Sequence, residues 1–411
     1  MSSSHPWQRQ LTYHPEEPVP ENVTARPALR RVLLTGVVVS LFTFCGLVLS
    51  ATITGATGIT GVLLGVLAAS TAIGVVVPVF LWIDRLEAEP ARVLWFSFLW
   101  GALVSTLGAL VLNQTGIAIF AELAVDPVVA GAVLVAPLVE EALKCLGVLM
   151  VFWFARREFN GVVDGMVYAG ITAAGFAFTE NILYLGSNYA DSGAPGLLGV
   201  FILRCLMSPF AHPMFTVCFG LALGLASYRR GPVRVLLPAA GFASAVFLHG
   251  LWNFAAVTTG SGFLVVYAVV QVPLFVGFVV LLVWARRRES RLITAHLTDY
   301  GINGWFTPAE VAMLASPRER RRARRWARSV GGRRAEAAME AFQDEATELA
   351  VARRHIVRGD PDPVWRHKEA RLLAGLHHHR AAFLPTPPPV IPPVPGPRPS
   401  GSAGGISVPQ Q

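Results

Sequence analysis

Charge is scarce in this chain. Only 15% of its 411 residues are Asp, Glu, Lys or Arg, while 53% are hydrophobic. A soluble domain carries about 25% charged residues. The deficit excludes a large water-soluble core as the main body and points to a polytopic membrane protein. Cysteine is scarce too: Cys45, Cys145, Cys205 and Cys218 all fall in apolar stretches, as small packing residues do. Neither a disulfide framework nor a thiolate zinc spacing is present. There is no HExxH, which excludes a zincin-type zinc helix, and no intramembrane Gly-x-Ser-x-Gly to suggest a serine nucleophile. The polar, Pro-containing first 31 residues hold no short apolar stretch with a small-residue cleavage site, so no cleaved leader is expected.

Long apolar runs are what the chain has instead. The fold class expected is all-α, a polytopic membrane bundle of about eight helices, each near the ~20 residues a bilayer requires. The spans read as 32–53, 59–82, 93–112, 128–154, 165–186, 197–228, 233–257 and 263–284, the sixth long enough to be tilted or broken near Pro209 and Pro213. Basic residues then fall on one side only. They are Arg26, Arg30 and Arg31, then Arg85 and Arg92, Arg156 and Arg157, Arg229, Arg230 and Arg234, and Arg286 to Arg288. The alternate loops (54–58, 113–126, 187–196 and 258–262) contain no Lys or Arg. The positive-inside rule therefore expects both termini in the cytoplasm of a multi-pass plasma-membrane protein. The organisation expected is a cytoplasmic arm (1–31), a membrane domain (32–284), a basic, mostly helical cytoplasmic region (285–380) and a Pro-rich tail (381–411).

Against this background, Glu140, Glu141, Glu180, His212 and His249 stand inside apolar spans. A charged side chain near a bilayer centre costs about 2.5–3.5 kcal/mol by insertion scales, so a polar site inside the bundle is the expected reason for them. Glu140 and Lys144 are i,i+4 and Glu141 and Lys144 are i,i+3, so Lys144 can reach either acid on one helix face. Two adjacent carboxylates in a low dielectric cannot both ionise cheaply, which suits one of them to general-base work. Pro137 should loosen the helix just upstream. Glu180 and Asn181 need a polar interior, and Arg204 lies on the following span. His249 and Asn253 are i,i+4 and share a face. Such a set supports water activation at a peptide carbonyl, directly or on a metal, with an Asn stabilising the oxyanion. It equally supports a proton relay in a transporter, and a structural ion pair in a non-catalytic scaffold is the blandest reading. No inverted repeat, which would favour a transporter, is evident.

Five motifs in order decide between these. They are Glu140-Glu141-Ala142-Leu143-Lys144, Asp164-Gly165-Met166-Val167-Tyr168, Gly175-Phe176-Ala177-Phe178-Thr179-Glu180-Asn181-Ile182-Leu183-Tyr184, His212-Pro213-Met214-Phe215-Thr216 and His249-Gly250-Leu251-Trp252-Asn253. Together they resemble the PrsW family of intramembrane proteases, distantly similar to the CAAX-processing Abi proteases, over roughly residues 84–284. The resemblance implies hydrolysis of a membrane-anchored protein, with anti-sigma factors the best-known substrate class. It implies Glu140, Glu141, Glu180, His212 and His249 as the catalytic set. The roles expected are a general base at Glu140 or Glu141, with Lys144 orienting the pair. His212 and His249 would activate water or, with Glu141, bind zinc. Asn181 and Asn253 would position the carbonyl, and Arg204 would pair with an acid. A zinc mechanism and a metal-free glutamate mechanism both stay open.

The remaining signal is basic. From Arg286 onward there are 21 Lys and Arg against 12 Asp and Glu, while the rest of the chain has 13 against 14. Seven Arg and one Glu lie between Arg318 and Arg328, a stretch suited to anionic lipid headgroups. No aromatic interleaving supports nucleic-acid binding. Thr307-Pro308-Ala309-Glu310 reads as a helix start, with helical sequence to about Leu373. From Pro385 onward Pro, Gly and Ser dominate, as in disordered or extended chain.

Overall fold

The computed structural model describes residues 25–122, 126–156, 158–159, 161–258, 263–359 and 363–384. The expected N-terminal arm up to residue 24 and the Pro-rich tail from residue 385 lie outside the described residues. Among those described, every regular element is helical. An apolar chain in lipid must satisfy its backbone within each segment, which a helix does.

Five helical segments are long and apolar enough to cross a membrane: Val32–Ile83, Ala91–Ile119, Val162–Ala226, Val233–Val257 and Phe263–Ile302. The count differs from the eight expected because helix continues through stretches read as loops. Residues 54–57 and 187–192 are helical, which joins the expected spans in two pairs. The helix Ala136–Phe154 is as apolar as its neighbours apart from Glu140, Glu141 and Lys144, and those three charged residues set it outside the five.

Two of the segments are interrupted. Ala25–Ile83 has 59 residues, and two helices meet inside it at Gly58, whose φ of 68° is open to glycine at no steric cost. Gly46 sits against Leu103, while Phe80 lies on Gly170 and Gly101 touches Thr172. A straight helix would hold residues 46 and 80 about 50 Å apart at 1.5 Å per residue. The chain therefore folds back at Gly58. Val162–Phe201 is interrupted likewise at Gly193, two residues before Pro195. A π-helical turn over Ile202–Met207 and a break at Ser208 then precede Ala211–Ala226.

The helix from Val162 is the hub, with every residue from Val162 to Ala177 buried. Its neighbours approach backbone to backbone. A Cβ on Gly165 would fall 2.1 Å from the Gly220 carbonyl oxygen, and one on Gly220 would fall 2.0 Å from that of Gly165. Two turns further along, a Cβ on Gly101 would fall 1.8 Å from the Thr172 oxygen. Small residues at such crossings let membrane helices gain dispersion contact where lipid offers no hydrophobic drive.

The C-terminal helices form a second packed unit. Thr307 and Glu310 make the capping box expected for Pro308–Leu314. The long helical stretch expected after it is broken at Gly331–Gly332 and again after Val357, giving Pro317–Val357 and Val364–Phe383. Leu297, Tyr300, Phe306, Leu314, Phe342, Leu349 and Leu372 share one core with Leu86 of the membrane part. Buried Arg320 ties the two together, donating to the carbonyls of Leu86 (3.1 Å), Leu314 (3.0 Å) and Gln343 (2.8 Å), and to Thr347. The connecting turn beside Leu86 is itself closed by Asp84, which accepts from the Glu89 amide at 2.8 Å. Burial raises the Asp84 carboxyl to about 8, with Asp164 and Glu87 adding to the shift, and raises that of Glu89 to about 12.

Candidate active site

The helix carrying the paired acids begins in a π-helical turn, Gly131–Val135. The amide of Ala136 donates back to Gly131, and Pro137 has no N–H to give, so the Ala132 carbonyl lacks a backbone partner. Asn253 fills it, its Nδ2 donating to Ala132 O at 2.8 Å. Further along, Trp100 lies over Gly147 and its indole N–H donates to the Leu143 carbonyl at 3.0 Å. These two contacts bracket Glu140, Glu141 and Lys144 and fix their rotation.

Glu141 is fully engaged. Its Oε1 receives Lys144 Nζ at 2.9 Å and faces His249 Nδ1 at 3.0 Å, and its Oε2 accepts from the Thr216 hydroxyl at 2.7 Å. Glu141 and Lys144 are both wholly inaccessible to solvent. Lys144 also contacts His212 Nδ1 at 3.0 Å and the Phe176 ring face at 3.9 Å. An ammonium has only protons to give. His212 Nδ1 must therefore accept, leaving the ring proton on Nε2, which donates to Glu180 Oε2 at 2.9 Å. Arg204 closes this arm, pairing with Glu180, donating to Asn181 Oδ1 at 2.6 Å and covering the Tyr184 ring.

Glu140 differs from its neighbour. Asn113 donates to its Oε1 at 3.3 Å, while its Oε2 is buried without a hydrogen-bond donor. Lys144 Nζ lies 3.6 Å and His249 Nε2 3.8 Å from that oxygen. The His212 and His249 rings stand perpendicular with centroids 5.0 Å apart, and Phe215 stacks on His249.

All five acids and histidines read from the sequence thus meet, and Lys144 and Arg204 join them. The two asparagines each spend one atom on support: Asn253 Nδ2 braces the π-turn and Asn181 Oδ1 accepts from Arg204. Sequence reading missed two residues. Thr216 is one turn from His212, and that i,i+4 spacing was the available signal. Asn113 follows the last apolar residue of its run and reads as loop until the helix Thr106–Glu122 is seen.

A metal-sized group exists here, and its carboxylate is Glu140 where the sequence reading had Glu141. Ligand atoms of Glu140, His212 and His249 lie within 4.8 Å of one another. Two imidazoles and one carboxylate form a recognised zinc donor set, and the undonated Glu140 Oε2 is the type of orphaned buried atom a cation would satisfy. The residues therefore fit the group.

The comparisons with known proteins converge on this same region. The model of the "PrsW family intramembrane metalloprotease" family matches residues 89–288, which enclose every member of the cluster. Protease PrsW of Geobacillus kaustophilus is 33% identical over 171 residues, covering 42% of this chain and 70% of the relative. Protease PrsW of Oceanobacillus iheyensis is 30% identical over 192 residues, 47% of this chain and 83% of the relative. That of Bacillus subtilis is 31% identical over 115 residues, 28% and 49% of the two chains. No solved structure matches. A buried acid–histidine cluster lying wholly inside the matched segment, in a helical membrane protein, completes the assignment: the chain is a protease and belongs to the PrsW family of intramembrane metalloproteases.

Proposed function

We propose that this protease hydrolyses a peptide bond in a membrane-anchored protein, such as a regulator of the anti-sigma-factor type, with Glu140 as the group that takes the proton from water. The observation that carries this reading is the asymmetry of the pair. Glu141 spends both oxygens on Lys144, His249 and Thr216, whereas Glu140 Oε2 has no donor and borders His249. A water bound there would lie between an acceptor and an imidazole, the arrangement general-base attack needs. Lys144 sits between the two acids of the Glu pair, and Arg204 pairs with Glu180, the acceptor that orients His212. Glu140, His212 and His249 are the residues that would hold zinc, which when bound supplies Lewis-acid polarisation of a carbonyl. His212 would have to release Lys144 or Glu180 to serve.

The segments interrupted at Gly58 and between Gly193 and Ser208, with Ala136–Phe154 added, support eight crossings and cytoplasmic termini in the plasma membrane. Single cysteines at Ser192 and Arg229 test the sidedness. Labelling of both from the same face would refute it. The partners are then the bilayer, a membrane-anchored substrate and, through the basic segment Arg318–Arg328, anionic headgroups.

The test is cleavage of a panel of single-span membrane proteins by the purified enzyme, read by mass spectrometry. Cuts made by wild type and lost in Glu140→Gln support the role of Glu140. Equal cutting by Glu140→Gln overturns it. A chelator arm separates zinc from metal-free chemistry.

A further inference from the structure

Three arginines from distant parts of the chain meet where the membrane domain joins the C-terminal helices. Arg286 lies over the Trp82 ring at 3.9 Å. Arg85 follows the same span two residues later and is exposed. Arg320, anchored on the Leu86 carbonyl, sets the helix Pro317–Val357 beside this turn, and the next residue along that helix, Arg321, is exposed. Arg85 and Arg321 are both close enough for their charges to repel Arg286. The acid within reach of Arg286 is Glu289, which is turned inward, lining a cavity with Asp164, Tyr228 and Arg354.

Elsewhere on the same helix the arginines have found carboxylates. Arg322 pairs with Glu319, Arg324 with Glu340 and Arg328 with Glu336. Arg321 has no acidic partner among the described residues. Like charges gathered without a counterion cost free energy unless an anion joins them. The height of the cluster identifies that anion. Trp82, Trp95 and Trp284 are 39%, 63% and 40% exposed at the ends of apolar helices, the position of tryptophan at a membrane–water interface. Guanidinium groups bind phosphate with two parallel hydrogen bonds.

We infer that Arg85, Arg286 and Arg321 form a binding site for the phosphate headgroup of an anionic phospholipid in the cytoplasmic leaflet, cementing the C-terminal helices to the membrane domain. The inference rests on the membrane placement proposed above but not on proteolysis. Its test uses the full-length Glu140→Gln protein, so that self-cleavage plays no part.

Native mass spectrometry of the detergent-purified protein would compare retention of phosphatidylglycerol, phosphatidylcholine and inorganic phosphate. The protein is expected to hold one phosphatidylglycerol in preference to phosphatidylcholine. Arg85→Gln with Arg321→Gln should weaken it by about 25-fold, roughly fivefold per arginine at about 1 kcal/mol each. The control, Arg322→Gln with Arg328→Gln, removes the same charge from arginines already paired and should weaken it less than fivefold. An unchanged thermal midpoint without added lipid shows that both variants fold. Equal loss in the two double variants would mean diffuse attraction and overturn the site. Equal retention of phosphatidylcholine, or displacement of the lipid by millimolar inorganic phosphate, would overturn it as well.

Discussion

At the scale of single residues, the two adjacent glutamates have separate tasks because they face different neighbours. Glu141 compensates a lysine that no solvent reaches, and a buried charge stripped of its partner costs about 3–5 kcal/mol. Glu141→Gln should therefore lower the thermal midpoint in detergent as well as activity. Glu140→Gln removes a carboxylate whose free oxygen has no donor, and should leave the midpoint nearly unchanged. Equal midpoint losses in the two variants would refute the division. These ionisable residues were readable from the chain because such groups are rare in apolar spans and have few reasons to be there. Which glutamate is held and which is free was not readable. It depends on Thr216 and Asn113, which arrive from other helices, and on a tautomer of His212 set by Lys144.

At the scale of elements, helix contacts near the site are set by glycine backbones. Gly165 and Gly220 leave no room for a methyl group on either side, and overpacking of this kind costs about 1–3 kcal/mol or more. Gly220→Val should shift the helix that bears His212 and reduce both folded yield and cleavage. Gly199→Ala, where an added Cβ meets nothing within 4 Å, should match wild type. Size-exclusion profiles and cleavage rates decide, and a normal Gly220→Val enzyme would refute the packing argument. The existence of these helices was plain from hydropathy. Their ends were not, since polar residues such as Asn113 and Asn188 continue a helix as readily as they end one. The π-turns were only half legible: Pro137 announced a loosened backbone, but that Asn253 would close it depended on tertiary contact.

At the scale of the whole molecule, the membrane domain and the C-terminal helices meet through the turn that holds Asp84. An acid whose folded pKa lies near 8 instead of 3.8 binds more protons folded than unfolded. Its contribution to stability is full below about pH 4 and is lost as pH rises through 8. Asp84→Asn, which keeps an oxygen for the Glu89 amide, should flatten the decline in thermal midpoint between pH 5 and 9. A slope identical to wild type would show that Asp84 does not titrate in this range. The basic composition of the C-terminal region was visible in the sequence, but its folding into a helical bundle against Leu86 was not. Its apolar residues are sparse, and they converge only after Gly331–Gly332 and the stretch beyond Val357 turn the chain.

The burial of the undonated Glu140 oxygen, with Glu141 and Lys144 enclosed beside it, has a kinetic consequence. Hydrolysis consumes a water molecule and a strand of another protein, and neither reaches these groups while the helices stand as they do. Turnover must wait for the helices to part, a motion on the microsecond-to-millisecond scale or slower. If parting sets the pace, replacing H2O with D2O should barely change the rate of cleavage, whereas stiffening the surrounding lipid should slow it. A large solvent isotope effect would place the slow step in proton transfer instead.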